Sequence, residues 1–375
     1  MCQVGPHAAA WKRRTPELLA LLAVSAPQLR SLEHWYPYDA PWNLEGPDPA
    51  SALPAELGRL SRLTSLTLGF GYAPVAAAQV DAMVQTLPSL QHLTLNGSYQ
   101  LSDGFPVSLA SSCSQLRCLE IYSGALEEVP PELGLLTALT RLVLRGPLVE
   151  SLPYSISCLS RLAELDVYGD SLSLPPGLTA CRQLTRLVMD SDAPSPVLAS
   201  LHSLRYLSVH ARRGQTPQEV YWTQLTALTE LRLVCDYGGF PAGLGGMTGL
   251  RKLSIQGKNA ADLPAGPYLS RLESLVMEDC YLQGRVPASL AAATQLRHLD
   301  FGEQQLSAAD VAVLSALPLL ATLRLKRPTD VDEDQWDERL AQLRAACVAQ
   351  GRAPPVFGMR ISCSQMLPHS LHLPS

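Results

Sequence analysis

Few residues of this chain stand where chemistry could be done. Asp190, Ser208 and His210 bring an acid, a hydroxyl and a base close together in the sequence, the three group types of a nucleophilic triad. Asp330, Asp332, Glu333 and Asp334 offer alternating carboxylates of the kind a calcium loop uses, but Gln335 stands where that loop needs glycine and Ala341 where it needs its closing glutamate. The glycines from Gly238 to Gly249 form no nucleotide loop; Gly245 falls in the same slot as Gly58 and Gly134 and reads as turn material. No histidine has metal-ligand spacing to a cysteine or to another histidine. The residues therefore imply neither cofactor nor metal. A last set is of another kind. Glu120, Tyr122, Arg145, Asp166, Tyr168, Asp190, His210 and Arg232 recur at equivalent places in successive segments, and Tyr and Arg are the types that concentrate binding energy at protein interfaces.

What positions these residues is a repeat. The pattern L-x-x-L-x-L occurs twelve times, from "LTSLTL" at Leu63 through "LRCLEI" at Leu116, "LTRLVL" at Leu139 and "LAELDV" at Leu162 to "LATLRL" at Leu320, with first leucines 20 to 27 residues apart. A degenerate copy at Leu29 and Leu32 precedes them. In a strand the side chains alternate between faces, so positions four and six of each copy point the same way. Position four is always Leu, and position six is always apolar, from Leu68 and Leu95 to Phe301 and Leu325. One such strand cannot bury its own apolar face, so copies must stack as a parallel sheet and share a core. Between strands a second phrase recurs, as in "LPAELGRLSRL" from Leu53, "VPPELGLLTAL" from Val129 and "LPYSISCLSRL" from Leu152. Its proline suits the first turn of a short helix, which predicts helical or 3₁₀ turns on the outer side.

On these motifs the chain resembles the leucine-rich-repeat family across roughly residues 51 to 325. The "LP-x-x-L" phrase is most similar to the intracellular repeats of the plant Ras-group class and of disease-resistance receptors, and "YLQGRVPASL" from Tyr281 is similar to the plant receptor subtype. The resemblance implies an α/β leucine-rich-repeat solenoid: a curved horseshoe with a parallel β-sheet on the concave face and short helices, 3₁₀ turns and loops on the convex face. The ninth position, usually Asn or Cys in the family, conforms only at Cys280. Without an asparagine ladder, the corner after each strand must satisfy its backbone groups in another way.

The expected organisation follows. Residues 1–50 hold the degenerate first repeat and a cap with a Pro-rich loop carrying Trp35, Tyr36, Tyr38 and Trp42, which is expected to lie over the N-terminal core. Residues 51–328 form the solenoid. Residues 329–360 form a C-terminal cap around an amphipathic helix from Asp334 to Ala349, with Trp336, Leu340, Leu343 and Cys347 on one face. Residues 361–375 are expected to be disordered. Same-position residues of neighbouring copies stand about 4.8 Å apart on the concave face. Position three, with Arg141, Glu164, Arg186, Glu230 and Lys252, is expected to be a ladder of weak ion pairs. At position seven, Arg145 is expected to sit between the Tyr122 and Tyr168 rings.

Groups on such an open sheet would be solvated and would lack an oxyanion hole, so the acid, base and hydroxyl near Asp190 are not expected to catalyse. The expected function is a non-catalytic scaffold that binds a protein or peptide on the concave face. The alternatives are the recognition arm of a ubiquitin-ligase or immune-receptor complex, and a cytoskeletal or axonemal component. The net charge of −5 argues against nucleic acid, which calls for a basic patch. No apolar stretch is long enough to span a bilayer. The nine cysteines are scattered and odd in number, which predicts reduced thiols in the cytosol. The stretch from Lys12 to Ala26 imitates a signal peptide, but Pro16 and Glu17 interrupt it and its apolar run is short.

Overall fold

The computed structural model describes residues 24–35, 55–71, 75–97, 104–169, 172–190, 196–211, 222–235, 242–257, 263–278, 285–303, 306–327 and 331–358, together with residues 21, 53 and 101. The Pro-rich loop from Tyr36 to Ala50 and the tail from Ile361 lie outside them. The chain forms two compact units, Met1–Val209 and His210–Ser375.

In the first unit the strands are β1 (Ser31–Trp35), β2 (Ser65–Gly71), β3 (His92–Gly97), β4 (Cys118–Ser123), β5 (Arg141–Arg145), β6 (Glu164–Tyr168) and β7 (Arg186–Asp190). Each pairs in parallel with the next, leucine opposite leucine, as in Leu119↔Leu142 and Leu142↔Leu165. Strand β8 (Tyr206–Ala211) crosses the boundary between the units. The second unit continues with β9 (Glu230–Cys235), β10 (Lys252–Gln256), β11 (Ser274–Glu278), β12 (His298–Glu303), β13 (Thr322–Lys326) and β14 (Val356–Gly358). These also pair in parallel and in chain order. Every predicted copy is a strand. The degenerate copy at Leu29 and Leu32 forms β1, and the "PPVF" segment, expected only as part of the cap, contributes β14.

The leucines explain this arrangement. First-position and fourth-position leucines are buried in all twelve copies, and so is the sixth position in eleven of them. Each fully buried side chain is worth about 2 kcal/mol of removed apolar surface, and none could be buried without the coil beside it. Leu325 is the exception and is only half-buried. Its neighbour β14 pairs with Thr322 to Arg324. The first coil departs too. His34 takes its sixth position, opposite Leu68, and burial lowers its pKa.

The outer side follows the coil lengths. Short coils carry 3₁₀ turns such as Pro131–Leu135, Tyr154–Cys158 and Pro176–Ala180, each entered through a proline, as the repeated phrase predicts. Among the twelve regular copies, the two longest spacings hold α1 (Ala77–Val84) and α2 (Ser108–Ser112). In the second unit, α3 (Ala308–Ser315) has a capping box in which Ser307 Oγ accepts from Asp310 N and Asp310 Oδ2 accepts from Ser307 N at 2.7 Å. The other oxygen of that buried carboxylate accepts from Val286 N at 2.8 Å, tying the helix to the coil before it. The cap helix is α4 (Glu333–Ala349). Asp332 caps its first turn, Trp336, Leu343 and Cys347 are buried, and Leu340, expected on the same face, is half-buried. Beyond it, Arg352 donates to the Ser315 and Leu317 carbonyls.

After β5 and β6 the corner that lacks an asparagine ladder is closed by main chain. Gly146 N donates to Tyr168 O at 3.1 Å, Val149 N to Gly146 O at 3.2 Å, and Leu172 N to Gly169 O at 3.4 Å. The backbones approach so closely that a β-carbon on Gly146 would stand 2.6 Å from the Ser123 carbonyl oxygen. One on Gly169 would overlap the Val149 carbonyl oxygen.

Two outcomes are expected. Gly169→Ala should lower the stability of the folded chain by about 2 kcal/mol, and an unchanged denaturation midpoint would show that the corner relaxes freely. Because the folded pKa of His34 lies below the ordinary 6.5, the unfolded chain takes up a proton that the folded coil refuses. That penalty is absent above the ordinary value and grows as pH falls through the window beneath it. The wild-type melting temperature should therefore drop more than that of His34→Leu between neutral and mildly acidic buffer.

Candidate functional site

Strand alternation sends positions three, five and seven to the face opposite the leucines. In the first unit, β4, β5 and β6 bring the predicted residues together there. Arg141 at position three lies between two acids: its Nε donates to Glu120 Oε1 on β4 at 2.8 Å, and its Nη1 donates to Glu164 Oε2 on β6. Arg145 at position seven reaches the other way and holds Asp166 of β6 with both arms of its fork, Nε to Oδ1 at 3.1 Å and Nη2 to Oδ2 at 2.6 Å. Its guanidinium stands 5.8 Å from the centroid of the Tyr122 ring, and the Tyr122 hydroxyl donates to Glu120 Oε2 at 3.3 Å. Glu120, Tyr122, Arg141, Arg145, Glu164 and Asp166 thus form one tied cluster over three strands. Val143, on the same face between the two arginines, is fully buried.

Two expectations need correcting. Arg145 is not held by two tyrosine rings. Tyr168 is its register partner, but the bidentate grip of Asp166 turns the guanidinium, because a planar fork matches a carboxylate better than a ring face. Asp190 is not displayed to solvent either, since only 2% of it is exposed. Asp190 is the last residue of β7, and the pairing of β7 with β6 runs as far as Met189. His210 and Arg232 belong to the second unit. The position-three ladder is real in part: Arg141 pairs with Glu164, and in the second unit Lys252 Nζ lies 3.4 Å from Glu230 Oε2. Arg186, expected in the same ladder, stacks its guanidinium 3.7 Å over the ring of Tyr206.

The sequence reading missed what this cluster does to Cys118. The thiol stands at position three beside Glu120, its Sγ 3.7 Å from Oε1. Burial first, and then the Glu120 charge, push its pKa up to about 11. Burial also pushes Cys113 and Cys181, both in the core, up to about 11. These are poor nucleophiles, since the thiolate is the reactive form. Among the described residues, no group of three His, Cys, Asp or Glu side chains is placed to hold a metal ion, and no helix is long and apolar enough to cross a membrane.

Parallel leucine columns under an open face of charged and aromatic side chains define a class of repeat protein. The model of the leucine-rich repeat region matches residues 111–359, and the chain belongs to the leucine-rich-repeat family. No curated protein sequence matches it. Among solved structures it is similar to a leucine-rich-repeat protein of Leptospira interrogans, with 21% identity, 79% of this chain and 80% of that one covered, and a TM-score of 0.58. It is also similar to TLR13 in a complex with ssRNA13, at 20% identity and a TM-score of 0.53, covering 81% of this chain and 40% of that one. A third likeness, at 21% identity and a TM-score of 0.50, is to the ectodomain of the Arabidopsis thaliana receptor kinase GASSHO1/SCHENGEN3 in complex with CASPARIAN STRIP INTEGRITY FACTOR 2, covering 78% of this chain and 38% of that one. At such identities the likeness is one of fold. Since one of these structures carries RNA, the fold does not argue against nucleic acid.

At pH 8, a thiol of pKa about 11 is thiolate in roughly one molecule in a thousand. Iodoacetamide should therefore label the exposed Cys158 well before Cys118, Cys113 or Cys181, and Glu120→Gln should speed labelling of Cys118 alone. Equal rates at Cys118 in the two proteins would show that Glu120 does not govern that thiol.

Proposed function

We propose that this chain is a non-catalytic scaffold that binds a protein or peptide across the open sheet face of β4 to β6. The observation that carries this reading is the tied cluster of Glu120, Tyr122, Arg141, Arg145, Glu164 and Asp166. Surface ion pairs contribute little to stability one by one, but here they hold an arginine and a tyrosine in fixed rotamers, which lowers the entropy a partner must remove on binding. Side chains of Arg141 and Arg145 keep 39% and 48% of their surface exposed, so the groups are held without being covered. Three carboxylates in the cluster disfavour a phosphate backbone on this face, which supports protein over nucleic acid here. The family itself is typical of protein-protein interaction modules. Cys113, Cys118, Cys158, Cys181 and Cys347 are free thiols, which supports the cytosol as the place of work.

Affinity purification followed by quantitative mass spectrometry tests the reading. Partners recovered with the wild-type chain should fall by about tenfold with Tyr122→Ala or Arg145→Ala, while the melting temperature stays within a degree or so because both sites are surface positions. Full recovery with both variants would remove this face from consideration.

A further inference from the structure

On the sheet face of the first unit, one arginine is held by a ring and not by an acid. Arg186 stands at position three of β7 and Tyr206 at position three of β8. Their main chains are opposite each other: Tyr206 N donates to Thr185 O at 3.0 Å, as Arg186 N donates to Ala163 O at 3.1 Å one coil earlier. The Arg186 guanidinium lies 3.7 Å over the centroid of the Tyr206 ring. An edge-on approach would put an N–H group between the two and hold them farther apart, so at this distance the guanidinium lies flat on the ring. The stack covers one face and leaves the N–H groups, which lie in the guanidinium plane, pointing outward at its edges. Among the described residues, Arg186 makes no ion pair and donates no side-chain hydrogen bond. Its register partner on β6, Glu164, is bound to Arg141 instead.

The charges around it make this arginine distinct. Of the acids on β4 to β7, Glu120 and Glu164 are held by Arg141 and Asp166 by Arg145. Asp190 is buried and stands four residues farther along β7, about 13 Å away at the rise of a strand. Arg186 is therefore left as the cation whose charge these acids do not meet. The next residues on this face, Val188 on β7 and Ser208 on β8, are small, uncharged and half-buried, so they leave the guanidinium edge open to an incoming side chain. A planar fork with free edges matches a carboxylate, which two parallel N–H groups can hold at once. A phosphate matches less well, because a dianion would face Glu164, whose side chain is 41% exposed. The carboxylate at a chain end is captured by clustered main-chain N–H groups, and on this face those groups are taken up in strand pairing.

We propose that Arg186, laid flat on Tyr206, receives an Asp or Glu side chain of the partner, so that the segment crossing the sheet face must carry an acid where it reaches β7 and β8. This rests on the reading that a peptide binds across β4 to β6, and it adds what that peptide must contain. The stack fixes the plane of the fork in advance, which lowers the entropy that binding must remove.

The test selects binders of the full chain from a random-peptide library and reads their sequences. An Asp or Glu should be enriched at one position. In a resynthesised binder, exchanging that acid for its amide should weaken binding about tenfold. The loss should fall to less than about twofold in Arg186→Lys, which keeps the charge but not the fork, and in Arg186→Gln. Tyr206→Phe keeps the ring and should keep the full preference, whereas Tyr206→Leu should lose most of it, all at unchanged melting temperatures. Tyr122→Ala should weaken the acid and amide peptides alike. Recovery of Tyr122-dependent peptides without an enriched acid would overturn the proposal and leave the sheet-face reading standing, while recovery of no peptide at all would remove both. A full preference in Arg186→Lys or Arg186→Gln, tighter binding of a phosphoserine in place of the acid, or sensitivity to amidation of the peptide C-terminus in its stead would also overturn it.

Discussion

No coil of this protein can bury its own leucines, and each depends on the next to do so. A strand of five or six residues offers two or three apolar side chains on one face, too few to make a core alone. Stacked in register, the same side chains form columns in which Leu119, Leu142 and Leu165 shield one another. That mutual burial dictates the parallel pairing, the one-face alternation and the exposure of positions three, five and seven. The functional surface is therefore a by-product of core formation: whatever stands at the odd positions is displayed, and neighbouring copies set it side by side.

The fold was legible because it repeats. A leucine three residues from another means little once and a great deal twelve times, and the proline phrase between the copies announced the 3₁₀ turns. The reading failed at single positions that the repeat treats like all the others. Leu325 is apolar like every other sixth position, yet it is only half-buried. Asp190 shares the seventh position with Tyr122 and Arg145, yet it is buried. Nor did the missing asparagines reveal their substitute, because main-chain bonds at Gly146 and Gly169 leave no side-chain signature beyond the glycines themselves.

The sheet face was half legible. Residue types picked out Tyr122, Arg145, Glu120 and Asp166, and register placed them together. Which partner Arg145 would choose was beyond a sequence reading, since a ring and a carboxylate were both within reach and only geometry decides between them.

The double grip of Arg141 has a consequence for how such a chain can change over time. Hydrophobic columns are indifferent to the number of turns, so repeat proteins readily gain or lose whole copies by duplication and deletion. Arg141 is not indifferent, because it needs an acid on the strand before and another on the strand after. Excising or inserting one copy between β4 and β6 would keep every leucine column intact and still strand a carboxylate or a guanidinium. This stretch is thereby locked as a block of three, and length variation is left to the coils outside it.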